Sequence, residues 1–460
     1  MKKKICNTVE MLLFCITLSL LFAGNSASAK KIAIDKKNFS QDMISYVVNE
    51  HDKNEDGYLS DNELKSIDSI ELQKCDKNWP FDFKGIEKLK YLKKMNCGGI
   101  NFKNFNYDIL KKIKMLQLYE CELDYLDFEK MPLLEELEIS SVDARTTYNL
   151  KKNTKLRKLL ISDCKVKSLD ISHLKNLEKL TIGTGIPRCD ISKNKKLKYF
   201  ELYSGWDKLE LSKNKALKGV IIKNTKIKLF NLRSQKKLET LEVEAKNCKK
   251  ILMPYAKKMK LLTINAPIKS FDCSKIPNIE DLKITASLPK IKLNNNVKLM
   301  HLYLEAPVDT LDIGKLTALK YLSLANTNIG VFSCAHPTLS NLLIKNCDIT
   351  EIDVSNLPGL GSVTVRDTNL KYFIASENNH ILDDLEFVDC KELMKVEIKK
   401  INEMKYVSYD YKGNEDSAIE KNVEEVWNSQ TGQIDIMEQQ TYLRIYCSLQ
   451  CNKFPKYDED

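Results

Sequence analysis

Residues 197–220 read LKYFELYSGWDKLELSKNKALKGV, and this stretch decides the fold. Apolar residues stand at Leu197, Phe200 and Leu202, and the same spacing starts again near the end of the stretch. Between the two, Leu209-Glu210-Leu211 alternates apolar and polar residues and is followed by Ser-Lys-Asn. Alternation of this kind is typical of half-buried extended backbone. One unit therefore contains two short extended segments that are joined by turns.

The apolar-x-x-apolar-x-apolar pattern recurs from about residue 92 to residue 409, mostly in steps of 20 to 22 residues. Its middle apolar position falls at Met95, Leu116, Leu137, Leu159, Leu180, Phe200, Val220, Leu241, Leu262, Leu282, Leu302, Leu322, Leu342, Val363, Leu385 and Val407. This period and core are those of leucine-rich repeats. We expect a repeat solenoid whose first strands form a parallel β-sheet on the concave side. So short a unit leaves too few residues for an α-helix of typical length, which predicts short extended or 3₁₀ convex segments.

The ends of the chain differ from the repeats. Lys2 to Lys4, an apolar run at residues 11–23 and Ala27-Ser28-Ala29 are typical of a secretory signal, with cleavage before Lys30. An uncleaved anchor helix is the alternative. We therefore predict a signal peptide at 1–29, an N-terminal cap at 30–80, a solenoid at 81–410, and a C-terminal cap and tail at 411–460. The tail includes helical character at 423–427 and a strand at 442–449.

Composition argues against several functional classes. The net charge of +10 is spread along the chain as lysine pairs such as Lys195-Lys196, whereas a nucleic-acid binder concentrates basic residues on one face. No second long apolar segment follows the signal, so the mature chain is expected to lack a membrane span. No H-E-x-x-H, G-x-S-x-G, C-x-x-C or glycine-rich phosphate loop occurs, and the five histidines are scattered. We predict a protein without enzymatic activity.

Cysteine and threonine occupy the ninth position of several units, where such repeats commonly have asparagine. These residues are Cys121, Cys164, Thr327, Cys347, Thr368 and Cys390. Cysteines two coils apart stand about 10 Å from each other at ~4.8 Å per coil, beyond the reach of a disulfide. We expect them to be buried, reduced thiols. Near the ends, a bridge stays open for Cys75, Cys97, Cys447 and Cys451.

Residues 52–63 read DKNEDGYLSDNE, which fits an EF-hand calcium loop at every ligand position. Gly57 is expected to take a left-handed turn, and a helix at residues 39–50 and another from Asp61 would flank the loop. The structural alternative is a solvated acidic turn. The predicted calcium ligands are side-chain or backbone oxygens of Asp52, Asn54, Asp56, Tyr58, Ser60 and Glu63.

With this loop, residues 38–95 resemble the N-terminal region of secreted leucine-rich repeat proteins of Gram-positive bacteria. Lys84-Gly85-Ile86-Glu87 and the turn Cys189-Asp190-Ile191-Ser192 carry the likeness further along the chain. The loop also looks like half of a dockerin, but a dockerin needs two loops and this chain has one. The resemblance implies export and interaction with proteins or surfaces, and it names no ligand.

On the open face of the sheet, the register brings His301, Tyr303 and Tyr321 together and places Tyr199 and Tyr203 on another strand. Tyrosine clusters are common in interfaces, so these five residues are candidate ligand contacts; an ordinary solvated face is the alternative. We predict a secreted or surface protein, monomeric, that binds calcium and a protein or glycan on a cell surface. The second hypothesis is a structural component of the cell envelope, associated with the cell wall by charge and calcium.

Overall fold

Short β-strands joined by turns make up most of the computed structural model. The structure describes residues 31–73, 79–379, 381–382, 384–399, 406–410, 427–428, 433–438 and 441–448. The predicted signal peptide, Cys75, Cys451 and residues 423–426 lie outside this part of the chain. The chain divides into two compact units, residues 1–165 and 166–460. Within the described residues, no helix is long and apolar enough to cross a membrane.

In the first unit, a parallel sheet stacks one strand from each coil. Leu116, Leu137 and Leu159 stand in register on neighbouring strands and are buried, because every second side chain of each strand points into the core. The strands are β3 (Ser69–Gln73), β5 (Lys94–Gly98), β7 (Met115–Tyr119), β9 (Glu136–Ser140) and β11 (Lys158–Ser162).

The sheet begins earlier than residue 81, where the solenoid was predicted to start. Ile67, Ile70 and Leu72 have the apolar spacing of a repeat and are buried, and β3 pairs in parallel with β5. The step from Ile70 to Met95 is longer than the regular period, so a search for evenly spaced units misses this coil.

A second parallel sheet forms the other side of the first unit, together with short 3₁₀ turns. Its strands are β4 (Trp79–Asp82), β6 (Ile100–Lys103), β8 (Glu122–Asp127) and β10 (Asp143–Thr147). The 3₁₀ helices are Ile86–Lys88, Tyr107–Lys112 and Phe128–Lys130. The far side is therefore extended and 3₁₀, as the unit length predicted.

Ahead of these coils lies a helix–loop–helix segment. The helix α1 (Gln41–Met43) continues as a π-helix (Ile44–Val48) and a 3₁₀ helix (Asn49–His51). The loop contains the short strand β2 (Tyr58–Leu59), which pairs antiparallel with β1 (Ile32–Ala33). The helix α2 (Asp61–Ser66) follows the loop.

In the second unit, a longer parallel sheet repeats the same arrangement, and Leu302 and Leu322 pair in register in its interior. Its strands are β12 (Lys179–Ile182), β13 (Tyr199–Leu202), β14 (Gly219–Lys223), β16 (Thr240–Glu244), β18 (Leu261–Asn265), β19 (Asp281–Thr285), β20 (His301–Glu305), β21 (Tyr321–Ala325), β23 (Asn341–Lys345), β25 (Ser362–Arg366), β27 (Asp384–Val388) and β29 (Tyr406–Asp410).

The other side of the second unit has two smaller sheets and the 3₁₀ helix Cys273–Lys275. One sheet pairs β15 (Leu229–Asn231) with β17 (Lys250–Leu252). The other runs in the order β22 (Val331–Ser333), β24 (Glu351–Asp353), β26 (Tyr372–Ala375), β28 (Lys395–Lys399), β32 (Thr441–Ser448), β31 (Gln433–Glu438) and β30 (Trp427–Asn428). The strand predicted at 442–449 is β32, whereas Trp427 lies in a strand and not in a helix.

Side-chain amides join neighbouring coils at the buried turn that follows the second extended segment. Asn214 Nδ2 donates to the carbonyl oxygens of Ile191 at 2.9 Å and Asn194 at 3.1 Å. Asn194 itself donates to two carbonyls of the preceding coil, and Gln235 Nε2 donates to Leu211. All three amides are fully buried, so they satisfy carbonyls that water cannot reach.

The cysteines at the ninth position bond backbone carbonyls of the turns, as Cys121 Sγ does by donating to Cys97 O at 3.2 Å. Cys121, Cys347 and Cys390 are buried there, and the residue before each adopts a left-handed conformation, for example Glu120 at φ 53°. Cys97 and Cys390 are unpaired thiols, and burial raises the pKa of both. The expectation of buried, reduced thiols is confirmed for the cysteines at the ninth position, while the pairing of Cys75, Cys447 and Cys451 stays untested.

We expect Asn214→Ala to lower the free energy of unfolding by about 2–3 kcal/mol, because two buried carbonyls lose their donor. The control is Asn247→Ala, which removes an exposed amide from a turn and should change stability by less than about 0.5 kcal/mol. Urea denaturation followed by circular dichroism measures both. Equal midpoints for the two variants would contradict the bridging role of Asn214.

Candidate calcium loop and open sheet face

The loop at residues 52–63 is shaped by two residues with positive φ and by a capped helix. Glu55 (φ 56°) and Gly57 (φ 75°) turn the backbone back on itself. Ser60 caps α2 by accepting from the backbone of Glu63, and the Glu63 carboxylate accepts from Ser60 N at 2.8 Å. This capping box fixes both Ser60 and Glu63 at the end of the loop.

Hydrogen bonds draw the acidic side chains of the loop inwards. Asp52 Oδ2 accepts from Gly57 N at 3.0 Å, and Asp52 Oδ1 accepts from Asp56 N at 3.2 Å. Glu63 Oε1 accepts from Lys53 N at 3.0 Å, which joins the end of the loop to its beginning. Leu59 is fully buried behind the loop, next to Ile32 in β1. The six predicted ligands are thus parts of a single closed turn.

The charges of the loop are partly balanced. The Lys31 ammonium donates to Asp56 Oδ2 at 2.6 Å and holds the pKa of that carboxyl below its usual range. Hydrogen bonds from Ser60 and Lys53 lower the pKa of Glu63, so both carboxylates are ionised at neutral pH. Asp61, which is not a predicted ligand, pairs instead with Lys65 and Lys90.

The donor set suits a hard cation, since carboxylate, amide, hydroxyl and backbone oxygens are the ligands that calcium takes. Within the described residues, however, no three His, Cys, Asp or Glu side chains are gathered closely enough to hold a metal ion. Two of the six predicted ligands are Asn54 and Ser60, and a third is the Tyr58 carbonyl. A calcium ion at this loop would therefore depend on these neutral oxygens as well as on the carboxylates.

On the second unit, the outward positions of β20 and β21 bring three predicted contacts together. The rings of Tyr303 and Tyr321 lie 4.9 Å apart at an interplanar angle of 34°. His301 pairs in register with Tyr321, and its Nδ1 is hydrogen-bonded to Asp281 on the preceding strand. Burial raises the pKa of Tyr321, so its hydroxyl is neutral and available as a donor.

Tyr199 and Tyr203 form a separate group on β13 and directly after it. Five strand pairings separate β13 from β20, which is about 24 Å at ~4.8 Å per strand. Tyr199 packs over Gly219, where an added Cβ would stand 2.8 Å from the ring. Nearby, Lys223 pairs with Glu242 and Glu244 at 2.7 and 3.0 Å.

Sequence reasoning missed a shallow cavity beside the tyrosine pair. Its volume is about 330 Å³, and it extends from Tyr321 across β23 and β25 to Arg366. Leu343 and Thr364 line it, and the Arg366 guanidinium is fixed by two hydrogen bonds to Glu386 at 2.8 and 2.9 Å. The repeat register already assigns these residues to the outward positions, but a search for aromatic residues passes over them.

Solved structures of other proteins have a similar fold, although no similar sequence family is found. A scan against protein-family models gives no match, and a search of curated proteins finds no similar sequence. Among solved structures, the functional domain of InlJ from Listeria monocytogenes, which includes a cysteine ladder, aligns with a TM-score of 0.58 at 20% identity. The alignment covers 82% of this chain and 84% of that domain.

Two further structures are similar. The internalin InlF from Listeria monocytogenes aligns with a TM-score of 0.52 at 18% identity, covering 66% of this chain and 94% of that one. A leucine-rich repeat protein from Leptospira interrogans aligns with a TM-score of 0.53 at 17% identity, covering 75% and 92%. These likenesses, together with the parallel sheets, confirm the leucine-rich repeat fold that the period predicted.

Proposed function

We propose that this chain is an exported, calcium-binding leucine-rich repeat protein that recognises a protein partner through the open face of its parallel sheet. The observation that carries the proposal is the continuous group of Tyr303, Tyr321, Leu343 and Arg366 on the second unit. The chain acts by binding and catalyses no reaction.

The chemistry of this face supports a protein partner. Tyrosine and arginine are enriched among the residues that contribute most to protein interfaces. Tyr303 is 38% exposed and so open to a partner. The Arg366 guanidinium is already held in place by Glu386, so this side chain loses little freedom on binding. A glycan that stacks on the tyrosine rings is the alternative ligand for the same surface.

Calcium is the second part of the proposal, with the Asp52, Asp56 and Glu63 carboxylates supplying the charge. Asn54 and Ser60 would add neutral side-chain oxygens, and Tyr58 its backbone carbonyl. Bound calcium would join the two ends of the loop and so stabilise the helical segment around it. An unpaired loop of this kind is expected to bind with a Kd on the order of 0.1–1 mM.

Calcium binding is tested by titration and by melting. Titration of residues 30–460 by calorimetry should show one bound ion, and Glu63→Gln should abolish the heat because the loop loses a carboxylate. Glu50→Gln is the matched control, since Glu50 is exposed and outside the donor set. Calcium should also raise the melting temperature relative to chelator, because it binds only the folded loop. Absence of heat at several millimolar calcium would refute this part of the proposal.

Recognition through the open face is tested by binding to intact surfaces. Fluorescently labelled residues 30–460 are applied to cultured mammalian cells and to purified peptidoglycan sacculi. We expect saturable binding to one surface that Tyr303→Ala combined with Tyr321→Ala reduces at least about tenfold, in line with the loss of two interface anchors. The double variant Tyr255→Ala with Tyr372→Ala removes two other exposed tyrosines and should bind as the unchanged chain does.

Protease treatment of the surface distinguishes the partners. Loss of binding after proteolysis supports a protein, whereas retention together with sensitivity to the Tyr303 and Tyr321 changes supports a glycan. Salt-sensitive retention on sacculi that both double variants share would instead support the envelope component, held by the positive charge that remains when the three Lys and one Glu of residues 1–29 are removed from the chain's +10. All variants should keep a cooperative thermal transition, which excludes unfolding as the cause of lost binding.

A further inference from the structure

The segment ahead of α1 runs along the second half of the calcium loop. Ile32 pairs with Leu59 and Ala33 with Tyr58, and Ile34 N donates to the carbonyl of Gly57 at 2.9 Å. At its other end, Asn38 Nδ2 donates to the carbonyl of Ala33 at 3.0 Å. The segment is therefore held against the loop through residues 32–34, and the residue before β1 stands beside the loop.

That residue is Lys31, and its ammonium contacts a predicted calcium ligand. Lys31 Nζ lies 2.6 Å from Asp56 Oδ2, an oxygen that also accepts from Asn54 Nδ2 at 3.1 Å. The other oxygen of Asp56 accepts from Tyr58 N at 2.9 Å. Both oxygens of Asp56 are therefore engaged, and the one facing Lys31 is shared with a positive charge.

Other lysines near the loop do not take this position. Lys53 donates to the backbone carbonyl of Glu50, and Lys65 and Lys90 pair with Asp61, outside the donor set. In the part of the chain that the structure describes, Lys31 is the lysine whose ammonium pairs with a predicted ligand. The negative charges of Glu63 and Asp52 act on the same ammonium.

We propose that Lys31 is an intramolecular competitor of calcium for Asp56 and thereby sets the calcium affinity of the loop. The inference rests on the proposed calcium binding. A cation that coordinates Asp56 Oδ2 must displace the ammonium, so part of the binding free energy is offset by the lost ion pair. Without calcium, the ammonium neutralises one loop carboxylate and lowers the repulsion between carboxylates. Lys31 is exposed, so the ammonium can leave into water while β1 stays paired.

The test is calorimetric titration of residues 30–460 with calcium chloride in four forms of the chain. Lys31→Met removes the charge and keeps the side-chain length, and it should tighten calcium binding about two- to fivefold, as loss of an exposed ion pair allows. Lys31→Arg keeps the charge and should retain the affinity of the unchanged chain. Lys37→Met is the matched control, an exposed lysine of the same segment without an ion pair among the described residues.

NMR spectroscopy measures directly whether calcium releases the Lys31 ammonium from Asp56. In protein labelled at the lysine side chains, saturating calcium should move the NMR signal of the Lys31 ε-methylene to the position of a free lysine and leave that of Lys37 unchanged. Equal affinities for Lys31→Met and Lys37→Met, with calcium bound in both, would overturn the role of Lys31 and leave calcium binding standing. Absence of binding in every form, Lys31→Met included, would overturn both.

Discussion

A buried amide that spans two coils is the interaction on which this structure depends. Each turn after the second extended segment leaves backbone carbonyls in the interior, where an unpaired polar group costs about 1–3 kcal/mol. Asn153, Asn194, Asn214 and Asn296 each donate to two such carbonyls of the preceding coil. His336 Nε2 donates to Leu316 O at the corresponding turn. An asparagine side chain is only long enough to reach the carbonyls of the coil next to its own. Neighbouring turns must therefore stay at a fixed distance, and this distance constrains the register of the sheet.

The register explains how much of the fold could be predicted from the sequence. Leu116, Leu137 and Leu159 were assigned to paired strands because burial of alternate side chains constrains each coil in the same way. The coil at Ile70 was missed because its step is irregular, and the asparagine bridge was missed because its partners are carbonyls, which carry no sequence signature. The buried thiols at the ninth position were predicted, and the structure adds that this position follows a left-handed residue and that Cys347 Sγ donates to Lys345 O at 3.2 Å.

The two candidate sites differ in how far residues close together in the sequence can predict them. The loop ligands from Asp52 to Glu63 are close in the chain, so their spacing alone indicated a calcium site. His301 and Tyr321 are distant in sequence, but the period placed them on adjacent strands, and the structure pairs them. Lys31 escaped prediction because its position depends on the pairing of β1 with β2, which no feature of the composition marks. Arg366 was missed because the search of the open face considered aromatic residues, although the repeat already pairs β25 with β27.

The two candidate sites also differ in rigidity, and this difference determines the behaviour expected of each. On the open face, each side chain projects from a strand fixed on both sides by backbone hydrogen bonds, so Tyr303 and Tyr321 are held on that face by a rigid backbone. In the loop, the carboxylates are held by hydrogen bonds and by one exposed ammonium, whose pairing with Asp56 is weak in water. A rigid face favours selectivity by shape, whereas a balance of exposed charges responds to the concentration of cations around it. In the proposed function, the repeats supply the geometry of recognition, and a single lysine outside them adjusts the response to calcium.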